Sequence, residues 1–123
     1  MLTESRKNIL VVEDDPATRD AVALVLEDEG YSVTGVANGQ EALRHLRQTP
    51  LPNLIVLDLM MPVMNGLEFR KQQTQDPALK GIPVLVISAD GAVSQKAAAL
   101  GVKDYLRKPI DLDLLLEAVQ RCC

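Results

Sequence analysis

The chain has 123 residues, 47% of them apolar and 24% charged, which is enough to bury one core and places it among soluble globular domains. Its net charge of -4, with 13 Lys and Arg residues scattered rather than striped, argues against direct nucleic-acid binding, and no apolar run approaches the roughly 20 residues a membrane-spanning helix needs. Residues 1–7 are polar and carry no signal-peptide segment, so they read as a flexible N-terminal segment ahead of one domain over 8–123, with a cytoplasmic location expected.

The first apolar run, Ile9-Leu10-Val11-Val12, predicts a strand and ends in the acid cluster Glu13-Asp14-Asp15. Asp15 then reads as the cap of a helix that takes Pro16 in its first turn, presents Ala21, Val22, Leu24, Val25 and Leu26 as an apolar face, and is stopped by Gly30. A strand over 31–36 follows. Asn38-Gly39 opens a helix carrying Ala42, Leu43 and Leu46, on whose polar face the lone His45 reads as a solvated side chain. The central run Leu54-Ile55-Val56-Leu57 ends at Asp58, and Leu59-Met60-Met61-Pro62-Val63-Met64-Asn65-Gly66 forms a turn. Beyond it a helix with Leu67 and Phe69 stops before Asp76-Pro77. The run Pro83-Val84-Leu85-Val86-Ile87 ends at Ser88, an Ala-rich segment covers 93–100, and a short strand over 104–106 leads into Arg107-Lys108-Pro109. A helix over 112–121 completes five strand–helix units. Cys122 and Cys123 are adjacent, close no loop and have no companions at metal-ligand spacing, so they read as a frayed helix end.

Strands alternating with helices predict an α/β fold whose parallel sheet is covered on both faces, with the site at the carboxyl ends of the strands. That convergence brings Glu13, Asp14, Asp58, Ser88 and Lys108 into one crevice. Crowded carboxylates repel, so at least one should titrate high unless a cation joins them, and an all-oxygen set suits Mg²⁺. Capping and solvation are the plain alternative for acids beside a turn, and Asp15 fits it. A flavin phosphate does not suit this first loop, because Glu13, Asp14 and Asp15 would repel it.

Four pieces, Leu-Val-Val-Glu-Asp-Asp (10–15), Leu-Asp-Leu-Met-Met-Pro-Val-Met-Asn-Gly (57–66), Val-Ile-Ser-Ala (86–89) and Asp-Tyr-Leu-Arg-Lys-Pro (104–109), stand in the order and spacing of one family. From about Asn8 to the last helix the chain resembles the receiver domain of two-component response regulators, of the stand-alone chemotaxis-regulator kind. The resemblance implies a flavodoxin-like (βα)5 three-layer sandwich with strand order 2-1-3-4-5. It implies a phosphorelay switch in which Asp58 accepts a phosphoryl group from a phosphohistidine on a sensor histidine kinase or histidine phosphotransfer protein. Mg²⁺, with Mn²⁺ as a substitute, would be held by Asp14, Asp58 and the backbone carbonyl of Met60, with Glu13 acting through water. Lys108 and Ser88 would complete the reacting centre, and a cis Lys108-Pro109 bond would aim the ammonium. Ser88 and Tyr105 would form a switch altering the face built from the fourth helix, fifth strand and fifth helix. Met60 and Asp90 would flank the path of the hydrolytic water and tune phosphoryl lifetime. On this reading the protein modifies only itself and is not an enzyme in the ordinary sense. It would be a monomer or weak dimer that meets a kinase and an output protein but neither nucleic acid nor membrane.

A haloacid-dehalogenase-type hydrolase also places a nucleophilic Asp at a strand end, but it needs a second Asp where this chain has Met60. A receiver acting only as a phosphorylation-independent interaction module usually lacks the acceptor, the acid pair or the lysine, all of which are present. Glu13 and Ser88 replace the family's commoner Asp and Thr with the chemistry kept, whereas Ile110 and Val102-Lys103 alter the partner face. Positions that form dimer salt bridges in receivers joined to winged-helix domains are Leu114 and Ala118 here. A stand-alone regulator is therefore expected, with a receiver excised from a multidomain regulator or hybrid kinase as the alternative.

Overall fold

The computed structural model describes residues 6–48 and 50–123, so most of the N-terminal segment, residues 1–5, lies outside the described residues. The elements are β1 (Asn8–Val12), α1 (Pro16–Asp28), β2 (Ser32–Val36), α2 (Gly39–Leu46), β3 (Leu54–Asp58), α3 (Gly66–Gln75), β4 (Val84–Ser88), α4 (Val93–Ala99), β5 (Asp104–Arg107) and α5 (Leu112–Cys122). All strand pairings are parallel, and the order across the sheet is β2-β1-β3-β4-β5, as the resemblance implies.

Alternate residues of the inner strands point to opposite faces, and each face meets its own helices. Leu10, Val12, Ile55, Leu57 and Val86 pack with Ala42, Leu43, Phe69, Val93 and Ala97 from α2, α3 and α4. Ile9, Val11, Leu54, Val56, Leu85 and Ile87 pack with Val22, Leu26, Leu115, Ala118 and Val119 from α1 and α5. Strands covered on both sides carry continuous apolar runs, which is why β3 and β4 are buried along their whole lengths.

The helix starts are local chemistry. Asp15 accepts hydrogen bonds from the Thr18 amide at 3.1 Å and hydroxyl at 2.6 Å, with Pro16 occupying the first turn. Asn38 accepts from the Glu41 amide, and Asn65 and Glu68 form a reciprocal capping box. After α1, Gly30 takes φ +96°, a left-handed conformation that closes the helix.

Two expectations change. Leu24, read as part of the buried face of α1, is 65% exposed, because Val22 and Leu26 alone reach the sheet. Cys122 belongs to the last turn of α5, and both cysteines are half-buried against the core shared by the sheet, α1 and α5 rather than fraying. Burial, followed by the Asp104 carboxylate 3.4 Å from its sulfur, pushes the Cys122 thiol up to about 11. In keeping with the absence of salt-bridge residues at these two positions, Ala118 is buried and Leu114 is a half-exposed apolar side chain.

Gln73, on α3, is fully buried. Its Nε2 donates to the carbonyls of Leu79 at 2.9 Å and Ile82 at 3.0 Å, and its Oε1 accepts from Arg70 at 2.8 Å, so one side chain fastens the loop between α3 and β4. Gln73→Leu would leave these partners without it, and unpaired buried polar groups are costly. A loss of about 2–4 kcal/mol in urea unfolding is expected, seen as a lower midpoint at unchanged slope.

Candidate functional site

The carboxyl ends of β1, β3 and β4 meet the start of the β5–α5 connection in one crevice. Glu13 follows β1 directly and its side chain is completely buried. One oxygen, Oε2, accepts the Asp15 amide at 3.1 Å, while Oε1 lies 2.6 Å from the Lys108 Nζ as an ion pair. The same ammonium lies 3.3 Å from Asp58 Oδ2. Asp58, the last residue of β3, is 2% exposed, and its Oδ1 accepts the Met60 amide at 3.1 Å. Asp14 is exposed and closes the triangle, with one carboxylate oxygen from each of Glu13, Asp14 and Asp58 lying within 4.8 Å of the others.

Three carboxylates against one ammonium leave a negative crevice. Burial and then the neighbouring Asp58 push the Glu13 carboxyl above its ordinary value of 4.5. Burial works against the Lys108 ammonium, but Glu13 and Asp58 outweigh it and hold the group above its ordinary 10.5. Glu13 Oε1 is fully buried and has the Lys108 ammonium as its partner. Three clustered carboxylates, two of them buried, that share a single ammonium fit a hard divalent cation better than a closed structural network.

The turn after Asp58 is fixed by close packing. A Cβ on Gly66 would stand 2.6 Å from the Asp58 carbonyl oxygen and 2.8 Å from Leu59 Cα, so only glycine lets α3 begin this close to the acid. Val63 takes φ +68°, a left-handed conformation that a β-branched residue adopts only under strain, while the Met64 carbonyl accepts the Gly39 amide at 2.9 Å. On the other side, Ser88 ends β4, is fully buried, and accepts the Asp90 amide on its hydroxyl at 3.1 Å. The Lys108 amide donates to the Ser88 carbonyl at 2.8 Å, and the Lys108-Pro109 bond is cis.

The structure thus gathers Glu13, Asp14, Asp58 and Lys108 directly, with Ser88 at the adjacent strand end. Tyr105 stands apart on β5, 42% exposed, and the Met60 side chain is 62% exposed. Asp90 is engaged by the Ala92 amide and the Lys96 ammonium, and Lys96 is the first cause of a carboxyl held below its usual range. Sequence reading did not find Lys96. An acidic residue before the Ala-rich segment with a lysine six residues on was the available signal.

A profile of the response regulator receiver domain matches residues 9–120. A Leptolyngbya boryana protein described as an uncharacterized 14.6 kDa protein in the sodA1 3' region is 41% identical, covering all of this chain and 95% of that one. The alkaline phosphatase synthesis transcriptional regulatory protein SphR of Synechococcus elongatus is 40% identical over 93% of this chain, which spans only 46% of SphR. The chemotaxis response regulator CheY4 of Vibrio cholerae superposes with a TM-score of 0.87 at 31% identity, over 97% of this chain and 100% of that one. The paired acids, the bridging lysine and the strand order agree with these likenesses, and the chain belongs to the response regulator receiver domain family.

Proposed function

We propose that Asp58 is a phosphoacceptor, taking a phosphoryl group from a phosphohistidine on a histidine kinase or histidine phosphotransfer protein. The observation that carries this reading is the Lys108 ammonium held between buried Glu13 and Asp58 at 2.6 and 3.3 Å. Asp58 attacks phosphorus, the P–N bond to the donor imidazole breaks with its electrons leaving on the imidazole, and an acyl phosphate remains on Asp58. The Met60 amide on Oδ1 keeps the carboxylate in one orientation, which is most of what phosphoryl transfer asks of a protein. Lys108 offsets the charge of the transferred group, and the Ser88 hydroxyl offers it a donor.

Glu13, Asp14, Asp58 and the Met60 carbonyl would hold Mg²⁺, Mn²⁺ serving in its place, with Glu13 acting through water. When bound, the ion neutralises the crowded carboxylates and the oxygens of the transferred group. Drawing Ser88 toward the new phosphoryl oxygens then favours an inward Tyr105, and the face formed by α4, β5 and α5 presents a different surface to an output protein. The protein modifies only itself in this scheme. A cytoplasmic site of action goes with this phosphorelay reading, and among the described residues no helix is long and apolar enough to cross a membrane. The chain's partial span of SphR favours the same chemistry operating inside longer regulators as well.

Incubation with acetyl phosphate and Mg²⁺ should add one phosphoryl mass to the wild type and none to Asp58→Asn. An undiminished adduct on the variant, read by intact mass, overturns the assignment.

Protons compete with a cation for Glu13. Because that carboxyl titrates above 4.5, Mg²⁺ affinity should fall as pH drops from about 8 through the raised value, and Glu13→Gln should bind more weakly with a shallower dependence. Calorimetric titration across pH reads both.

Asp90 is spoken for by Lys96 and the helix amide, beside Ser88. Asp90→Ala should remove an obstruction to the hydrolytic water, so the acyl phosphate decays several-fold faster while forming at an unchanged rate. Decay of the isolated phosphoprotein at the wild-type rate is the contrary result.

A further inference from the structure

The loop that presents Asp14 is fastened at several polar atoms on either side of it. The Glu13 amide donates to the Val36 carbonyl at the end of β2 at 3.0 Å, the Glu13 carboxylate accepts the Asp15 amide, and Asp15 caps α1 through Thr18. A further hold is on the Glu13 carbonyl, the oxygen of the peptide that joins Glu13 to Asp14. It accepts a hydrogen bond from Arg19 Nη1, on α1, at 2.9 Å. A second observation concerns the stem of that arginine. It lies flat over β2 at Gly35, where a Cβ would stand 3.0 Å from Arg19 Cδ and 3.1 Å from Cγ. Glycine at this strand position leaves the space that the stem fills.

We propose that Arg19 is a positioning residue for the acid cluster, holding the Glu13–Asp14 peptide plane so that the Asp14 carboxylate leaves the chain toward Asp58. A peptide plane is rigid, so fixing its oxygen fixes the direction in which the next residue departs. The guanidinium reaches the carbonyl from a stem seated on Gly35, and its fixed donor geometry suits it to such a clasp better than a flexible ammonium. The role is comparable to that of groups that orient metal ligands without touching the metal. The inference rests on the divalent-ion reading proposed above.

Charge and position make opposite predictions for this residue. If Arg19 acted only as a nearby cation, removing it would tighten Mg²⁺ binding, because its positive charge repels the ion. If it positions Asp14, removing it loosens binding. Mg²⁺ titrations followed by amide NMR shifts on the wild type, Arg19→Met and Arg19→Lys separate the two. Arg19→Met, which keeps the apolar stem, should weaken binding roughly tenfold while the thermal midpoint in EDTA stays near that of the wild type. Arg19→Lys should recover part of the loss. Should Arg19→Met not fold, Gly35→Val displaces the stem from the surface of the sheet and should weaken binding in the same direction. Affinity equal to or tighter than the wild type in the folded variant overturns the inference. A wild type that shows no Mg²⁺-dependent shifts overturns the divalent-ion reading and this inference together.

Discussion

Two carboxylates buried at the ends of neighbouring strands, Glu13 after β1 and Asp58 closing β3, would repel each other if left alone. The ammonium of Lys108 lies between them at 2.6 and 3.3 Å, and the crevice depends on that bridge. Its cost is desolvation of three charged groups, which the mutual attraction offsets only if the geometry is held firmly. The Lys108 amide bonded to the Ser88 carbonyl provides one such hold, tying the lysine's backbone to β4. The remaining imbalance, an exposed third acid beside one shared ammonium, leaves the site short of positive charge.

The sheet converts this local electrostatics into a defined geometry. In parallel pairing the register places Val12 beside Leu57, Asp58 beside Ile87 and Ser88 beside Arg107, so the strands run out at nearly one level and their following residues face a common crevice. Both faces of the strands are covered by helices, and the backbone beneath the site cannot shift without disturbing one of two packed cores. Gly66 serves the same end from the side, since any side chain there would collide with the Asp58 carbonyl.

Much of this was legible in the sequence because it is written in local chemistry. Asp15-Pro16, Asn38-Gly39 and Asn65-Gly66 mark helix starts through a side-chain cap and a compatible first residue, and the apolar runs ending at Glu13, Asp58 and Ser88 mark strands covered on both faces. The order of the strands was not so written, since periodicity is blind to which neighbour a strand takes, and it came from the family resemblance. Residues whose meaning lies in a distant partner stayed hidden. Gln73 on a helix reads as a solvated amide until the Leu79 and Ile82 carbonyls fold over it, and Lys96 reads as a surface lysine until Asp90 turns to meet it. Leu24 erred in the other direction, because an apolar periodicity gives a direction on a helix but not the width of the surface that will cover it.

The helix α4 is seven residues long, starts at Ala92 without a side-chain cap, and buries only Val93 and Ala97. Helices this short are marginal by themselves and depend on packing for their persistence. This one has two small anchors in the core, so its displacement exposes little apolar surface and carries a shallow free-energy penalty compared with that of α5, which buries Leu115, Ala118 and Val119. Motion within the domain is therefore graded by element, with α4 yielding at a load that leaves the sheet undisturbed. Its fluctuations should be visible as faster amide exchange in 93–99 than in the strand β4 that precedes it, a mechanical softness located beside the chemistry rather than spread through the fold.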